Sequence, residues 1–116
     1  MTPIKPEITF EEFLKVDIRI GTIIEVCEFK KARNPAYQLK IDFGSLGIKN
    51  SSAQITDLYS LKNLHGKQVI AVINFPKKQI ANFFSDCLVL GIYNSKKQVV
   101  LLKSSNSDIK NGEQVS

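Results

Sequence analysis

The chain has 116 residues, 43% hydrophobic and 23% charged, which indicates one globular domain with a modest core. It contains no run of eighteen apolar residues, and its first ten residues lack an apolar stretch. We therefore expect neither a membrane-spanning helix nor a secretory signal. The formal net charge is +5, but residues 1–29 carry a net of −3 and the remainder a net of +8. This asymmetry predicts a cationic surface that binds a polyanion.

The N-terminal part predicts an extended arm over residues 1–8, because it contains two prolines, and one domain over residues 9–116. A helix over residues 10–16 should open this domain, since Thr9 and Glu12 have the spacing of a capping box. A helix of two turns is not stable alone, so its apolar face must pack on another surface. That face consists of Phe10, Phe13 and Leu14.

Hydrophobic periodicity predicts five strands, with a short helix between the third and the fourth. The strands are expected over residues 17–29, 37–43, 48–55, 67–75 and 87–92, and the helix over residues 56–64 with Thr56 or Asp57 as its cap. In the first strand, Gly21 could mark a bulge or a sharp bend, and one face should hold Ile18, Ile20, Thr22, Ile24 and Val26. A further strand over residues 98–103 and a tight turn at Asn111–Gly112 predict a C-terminal β-hairpin extension.

This element order is that of a five-stranded OB-fold barrel, a mostly all-β fold whose members often bind RNA on one face. Other small β folds share the order. Both cysteines, Cys27 and Cys87, lie in apolar runs and are expected to be buried, reduced thiols of a cytoplasmic protein. There is one histidine and no phosphate-cradling glycine motif, so we expect no metal, no cofactor and no enzymatic activity.

Two basic clusters are candidate phosphate sites. In the first, Asn74 ends an apolar strand, and Lys77 and Lys78 follow in the turn. In the second, Lys30 and Arg33 lie in the loop after the first strand. A solvated turn is the simpler interpretation of a lysine pair taken alone.

Three stretches resemble the tRNA-binding domain family, an OB-fold module attached to some aminoacyl-tRNA synthetases. They are FEEFLKVDIRIGTIIEVCEF (10–29), LKIDFGSLGIKNSSAQITDLY (39–59) and VIAVINFPKKQIANFFSDCLVLG (69–91). Within the family they are most similar to the stand-alone bacterial CsaA type, a dimeric, export-related chaperone. The resemblance implies a homodimer formed by the N-terminal helix, with Phe10, Phe13 and Leu14, and by the C-terminal hairpin. It also implies tRNA binding by Lys49, Ser51, Ser52, Gln54, Asn74, Lys77, Lys78 and Ser85, to which charge alone adds Lys30 and Arg33.

The chain departs from the family pattern after the basic turn, where many members have a Gly before the closing Ser and a Gly-Met pair after it. This sequence has Ala81, Asn82 and Asp86–Cys87 instead. Asp86 brings a negative charge next to the expected phosphate site. The departure keeps a second hypothesis open, in which the dimer binds unfolded or precursor polypeptides in an apolar pocket. The residues expected in that pocket are Phe75, Ile80, Phe83 and Phe84, although one of the two adjacent phenylalanines should instead fill the core.

Overall fold

The N-terminal end of the chain is an exposed arm followed by one turn of helix. The structure is a computed structural model that describes residues 2–116, so Met1 of the predicted arm lies outside the described residues. Helix α1 spans Phe10–Phe13 and is shorter than predicted. The capping box is confirmed, because Thr9 Oγ1 accepts a hydrogen bond from the Glu12 N–H at 3.1 Å and Glu12 Oε1 accepts one from the Thr9 N–H at 3.0 Å.

The predicted barrel is confirmed, with five antiparallel strands in the order β3-β2-β1-β4-β7. These strands are β1 (Ile18–Glu28), β2 (Tyr37–Asp42), β3 (Ile48–Ala53), β4 (Gln68–Val72) and β7 (Leu88–Val89). A short helix α2 (Leu61–Leu64) lies between β3 and β4, as the OB-fold order requires. It is capped by Ser60, not by Thr56 or Asp57, because Ser60 and Asn63 form a second capping box.

The core lies inside this sheet and is organised around β2. The alternation predicted for this strand is confirmed, because Tyr37, Leu39, Ile41 and the following Phe43 are all buried. They pack with Ile23, Leu64 and Val69 from the neighbouring elements. A side chain of this kind, fully buried, contributes about 1.5–3 kcal/mol relative to its exposed state.

Strand β1 contains a bulge, but it lies at Ile24 and not at Gly21. The register with β2 shifts between Ile23 and Glu25, and one extra residue reverses the alternation of faces. Ile23 before the bulge is fully buried, Ile24 at the bulge is 38% exposed, and Val26 after the bulge packs against the core, so the single apolar face predicted for this strand is wrong. Gly21 instead permits close packing, since a Cβ there would lie 2.7 Å from Ile41 Cγ2 and 2.7 Å from Phe43 Cε1.

A hairpin that the sequence did not predict follows β4. It consists of β5 (Lys78–Ile80) and β6 (Phe83–Ser85), joined by Ala81 and Asn82. Ala81 has φ +54°. Glycine is the usual residue at such a positive φ, and its presence would have indicated a hairpin turn in the sequence. The strand before it ends at Val72, three residues earlier than expected.

The C-terminal part forms a hairpin whose turn lies at residues 94–98 and whose first strand takes up the end of the predicted fifth barrel strand, and the chain then returns to the barrel. Strands β8 (Gly91–Tyr93) and β9 (Val99–Leu101) pair with each other. The last residues do not extend this hairpin but lie beside the start of β1, where Arg19 and Gln114 form an antiparallel bridge. Arg19 Nη1 also donates a hydrogen bond of 2.9 Å to the Gly112 carbonyl oxygen.

Candidate nucleic-acid interface

The barrel closes between β3 and residues 85–87 mainly through side chains, and we call this junction the seam. The Asn50 N–H donates to Asp86 Oδ1 at 2.7 Å, and the Asp86 N–H donates to the Asn50 carbonyl oxygen at 2.9 Å. Ser51 Oγ donates to the Cys87 carbonyl oxygen at 3.1 Å, and Ser85 Oγ accepts from the Ser52 N–H at 3.3 Å. The seam thus replaces a regular strand ladder, and it holds the β5–β6 hairpin against β3.

A pocket of about 470 Å³ lies beside the seam, and we call it the seam pocket. It brings together four predicted tRNA-binding residues and two predicted peptide-binding residues. The lining residues are Ser52, Gln54, Phe75, Pro76, Lys78, Ile80, Ser85, Asp86, Cys87 and Leu88. Two segments that are far apart in sequence, β3 and residues 75–88, therefore form one concave surface.

Three other predicted tRNA-binding residues lie on the two segments that form this pocket but do not line it. Lys49 is half-buried on β3, and Lys77 is exposed in the turn before β5. Ser51 is buried within the seam, so its hydroxyl group contacts the Cys87 carbonyl and not the solvent. Ser51 therefore supports the wall of the pocket.

Asn74 joins the basic turn to the segment between α1 and β1. Its Oδ1 accepts a hydrogen bond from the Asp17 N–H at 3.0 Å, and its Nδ2 donates to the Lys15 carbonyl oxygen at 2.6 Å. Both ends of the side-chain amide are therefore engaged within the protein. Asn74 positions the start of the turn that carries Lys77 and Lys78.

The second basic cluster lies in the β1–β2 loop, where Lys30 and Arg33 line a pocket of about 440 Å³. A smaller pocket of about 280 Å³ connects the two regions, because it shares Gln54 with the seam pocket and Thr56 with the loop pocket. The seam pocket and the pocket of the β1–β2 loop are thus linked only through lining residues that each shares with this third pocket.

The remaining predicted residues lie apart from the seam pocket. Phe83 is half-buried and packs against the buried ring of Phe29, with ring centroids 5.4 Å apart, outside the core that surrounds β2. Phe84 is exposed and does not line the pocket. On α1, Phe10 is 69% exposed and Leu14 is 59% exposed, while Phe13 is half-buried.

The two cysteines differ in environment, which corrects one prediction. Cys27 is exposed, because the bulge in β1 turns the second half of that strand, and the expectation of a buried thiol there is wrong. Cys87 is buried at the seam. Burial, followed by the nearby charge of Asp86, raises the pKa of its thiol to about 12, although the Ser51 hydroxyl and Lys49 oppose the shift.

Several lining residues had no signal in the sequence. Pro76, Leu88 and Cys87 line the seam pocket, but their positions depend on the unpredicted hairpin and on the side-chain seam. Between residues 2 and 116 no group of three or more potential metal ligands occurs, and no helix of that part is long and apolar enough to cross a membrane.

Comparison with known proteins identifies the family. A family model described as "Putative tRNA binding domain" matches residues 18–114. The chain belongs to this tRNA-binding domain family. The match confirms the resemblance expected from the three sequence stretches, and the family is a binding domain, not a class of enzymes.

Relatives of this tRNA-binding domain occur both alone and in larger proteins. The chain is 33% identical over 111 residues to the methionine–tRNA ligase of Chlorobium chlorochromatii, a match that covers 96% of this chain and 15% of the ligase. It therefore spans only about 15% of that curated relative. Among solved structures, the chaperone CsaA of Bacillus anthracis is 49% identical, with a TM-score of 0.89 and coverage of 96% of this chain and 100% of that one. The CsaA chaperone protein of Picrophilus torridus is 50% identical, with a TM-score of 0.88 and coverage of 95% and 100%.

Proposed function

We propose that the chain binds folded tRNA on the concave surface around the seam pocket and the β1–β2 loop. The observation that carries this proposal is the meeting of the polar strip of β3 with the basic turn at one pocket in a tRNA-binding domain. Lys78 lines the pocket, and Lys49 and Lys77 lie on the two segments that form it. Lysine ammonium groups neutralise phosphates without reading sequence, so binding should depend on shape and charge.

A titration of labelled bulk tRNA at 50 and 200 mM salt tests this proposal, with an unstructured RNA as the control ligand. Folded tRNA should bind more tightly than the control, and the slope of log affinity against log salt should fall by about two when Lys77 and Lys78 are both replaced by alanine. A matched variant replaces Lys96 and Lys103, which lie outside the seam pocket, and removes the same charge. Equal effects of the two double variants would contradict the site assignment.

We further propose that the protein is a homodimer, with α1 in the interface. The support is the exposed apolar face of α1, together with exposed Ile92 and Tyr93 on the β8–β9 hairpin. A single helical turn gains little stability of its own and needs a surface that covers Phe10 and Leu14. The acidic N-terminal part would lie at the interface and leave the basic part free for RNA.

A second candidate function is binding of unfolded or precursor polypeptides in the seam pocket. It is favoured by Phe75, which is 54% exposed at a pocket that also contains Ile80 and Leu88. It is also favoured by the likeness to two proteins described as CsaA chaperones. The protein at micromolar concentration should then slow the aggregation of an unfolded client, and Phe75→Ser should remove this effect. If the wild-type protein does not slow aggregation, this candidate function is excluded.

We also propose that this chain acts in the cytoplasm as a binding module without catalytic activity of its own. The support is its membership of a family of binding domains and the location expected for a partner of tRNA. Any catalytic activity of a larger protein that contained this domain would then belong to the other parts of that protein.

A further inference from the structure

The seam pocket contains polar groups that are not used within the protein, next to an apolar wall. Phe75, Ile80 and Leu88 supply the apolar part of the lining. Asp86 Oδ1 accepts the Asn50 N–H, but its second carboxylate oxygen accepts no hydrogen bond from residues 2–116. Within the same range, the side-chain amide of Gln54 makes no hydrogen bond either. The pocket therefore offers free hydrogen-bonding groups to a ligand.

This combination fits a nucleobase better than an aliphatic side chain. A volume of about 470 Å³ lies in the range of small-molecule sites. An aliphatic side chain would cover Gln54 and Asp86 without pairing them, and an unpaired polar group is costly to bury. A base has a flat face that can stack on the exposed ring of Phe75 and an edge that can pair with an amide or a carboxylate. Lys78, in the same lining, suits the attached phosphate.

We propose that the seam pocket receives one unpaired nucleotide of the bound RNA and selects bases with an exocyclic amine, which are adenine, cytosine and guanine, over uracil. This inference rests on the proposed RNA-binding function and specifies its ligand. An ionised carboxylate can only accept hydrogen bonds, so the free oxygen of Asp86 pairs with the exocyclic amine of adenine, cytosine or guanine. Uracil has no exocyclic amine, and a carboxylate repels the two carbonyl oxygens that lie on either side of its N3–H.

The role of Asp86 is therefore dual, and its charge is a source of selectivity. One oxygen fixes the β3 side of the seam, and the other reads the base. The substitution Asp86→Asn separates the two tasks, because the amide oxygen keeps the contact with the Asn50 N–H while the amide nitrogen replaces the free oxygen. The variant then presents a donor in the place of an acceptor, and it should prefer bases with a carbonyl oxygen.

The test is an NMR titration of the full chain with adenosine, cytidine and uridine 5′-monophosphates. The wild-type protein should bind the adenosine and cytidine nucleotides about tenfold more tightly than the uridine nucleotide, as expected for a hydrogen bond to a charged group. Asp86→Asn should reverse this order. Gln54→Leu, at an exposed position that carries little risk for folding, should weaken adenosine monophosphate binding about fivefold or more. Equal affinities of the wild-type protein for the three nucleotides would overturn the proposal, as would an unchanged order in folded Asp86→Asn.

The same protein preparations, titrated with folded tRNA, separate this inference from the proposed function. Tight tRNA binding without any preference among the nucleotides overturns the pocket assignment alone. A wild-type protein that does not bind tRNA overturns the proposed function. Shifts at Leu88 and Ile80 caused by an unfolded polypeptide, and by none of the nucleotides, assign the pocket to polypeptide and overturn the inference.

Discussion

Replacing Asn74 by alanine should destabilise the protein, because this side chain links the basic turn to the segment before β1. It makes two hydrogen bonds, from the Asp17 N–H at 3.0 Å and to the Lys15 carbonyl oxygen at 2.6 Å. A hydrogen bond contributes about 0.5–1.5 kcal/mol net, and these two are exposed to solvent, so their sum should be about 1–2 kcal/mol. The free energy of unfolding should decrease by this amount.

Urea denaturation measures this change directly. With a urea dependence of about 2 kcal/mol per molar for a small domain, the midpoint should fall by about 0.5–1 M. Asn82→Ala is the matched control, because Asn82 is exposed and its side chain makes no hydrogen bond with residues 2–116. Equal midpoints for the two variants would refute the argument that Asn74 positions the turn. If Asn74→Ala were as stable as the control but bound tRNA poorly, Asn74 would instead contact the RNA directly.

Four further predictions concern packing, thiol reactivity, the pH dependence of stability and assembly. Gly21→Ala should lower the free energy of unfolding by about 1–3 kcal/mol through overpacking, and an unchanged melting temperature would contradict the close contact there. At pH 8 a thiol reagent should modify Cys27 rapidly and Cys87 only on unfolding, so Cys27→Ser should remove the fast phase. Because folding raises the Cys87 pKa from 9.0 to about 12, stability should fall as pH rises above 9, by up to about 1.4 kcal/mol per pH unit relative to Cys87→Ala. Phe10→Ser with Leu14→Ser should convert a dimer to monomers in sedimentation, whereas a monomeric wild-type protein would remove the interface proposal.

The order of strands and much of the core could be read from the sequence, because local patterns determine them. The alternation of residues 37–43 and the capping box at Thr9 are signals within a few residues, and both appear in the structure as expected. The β5–β6 hairpin was missed because Ala81, and not a glycine, adopts the positive φ of its turn. The bulge at Ile24 was misplaced because a glycine nearby gave a stronger signal than an isoleucine.

The site was predicted less completely, since its geometry depends on contacts between distant segments. The sequence could indicate that Ser85 and Ser52 belong together only through the family resemblance, and it could not show that their contact closes the barrel. It presented Asp86 as a charge that opposes phosphate, whereas the structure shows this carboxylate bound to the Asn50 N–H. A local sequence pattern does not reveal which of the two carboxylate oxygens of Asp86 already accepts a hydrogen bond within the protein.

The bridge between Arg19 and Gln114 also bears on how this domain is used in larger proteins. The residues that match the family model begin at Ile18 and end at Gln114, so the two ends of the matched segment lie side by side in one antiparallel pair. The Val115 N–H donates to the Ile18 carbonyl oxygen at 2.9 Å, which places the entry and exit of the chain within one strand spacing. A module with adjacent ends can be joined to a host protein at a single point of its surface without separating the host's own elements. Adjacent ends of this kind are compatible with the place of a similar segment within the much longer methionine–tRNA ligases.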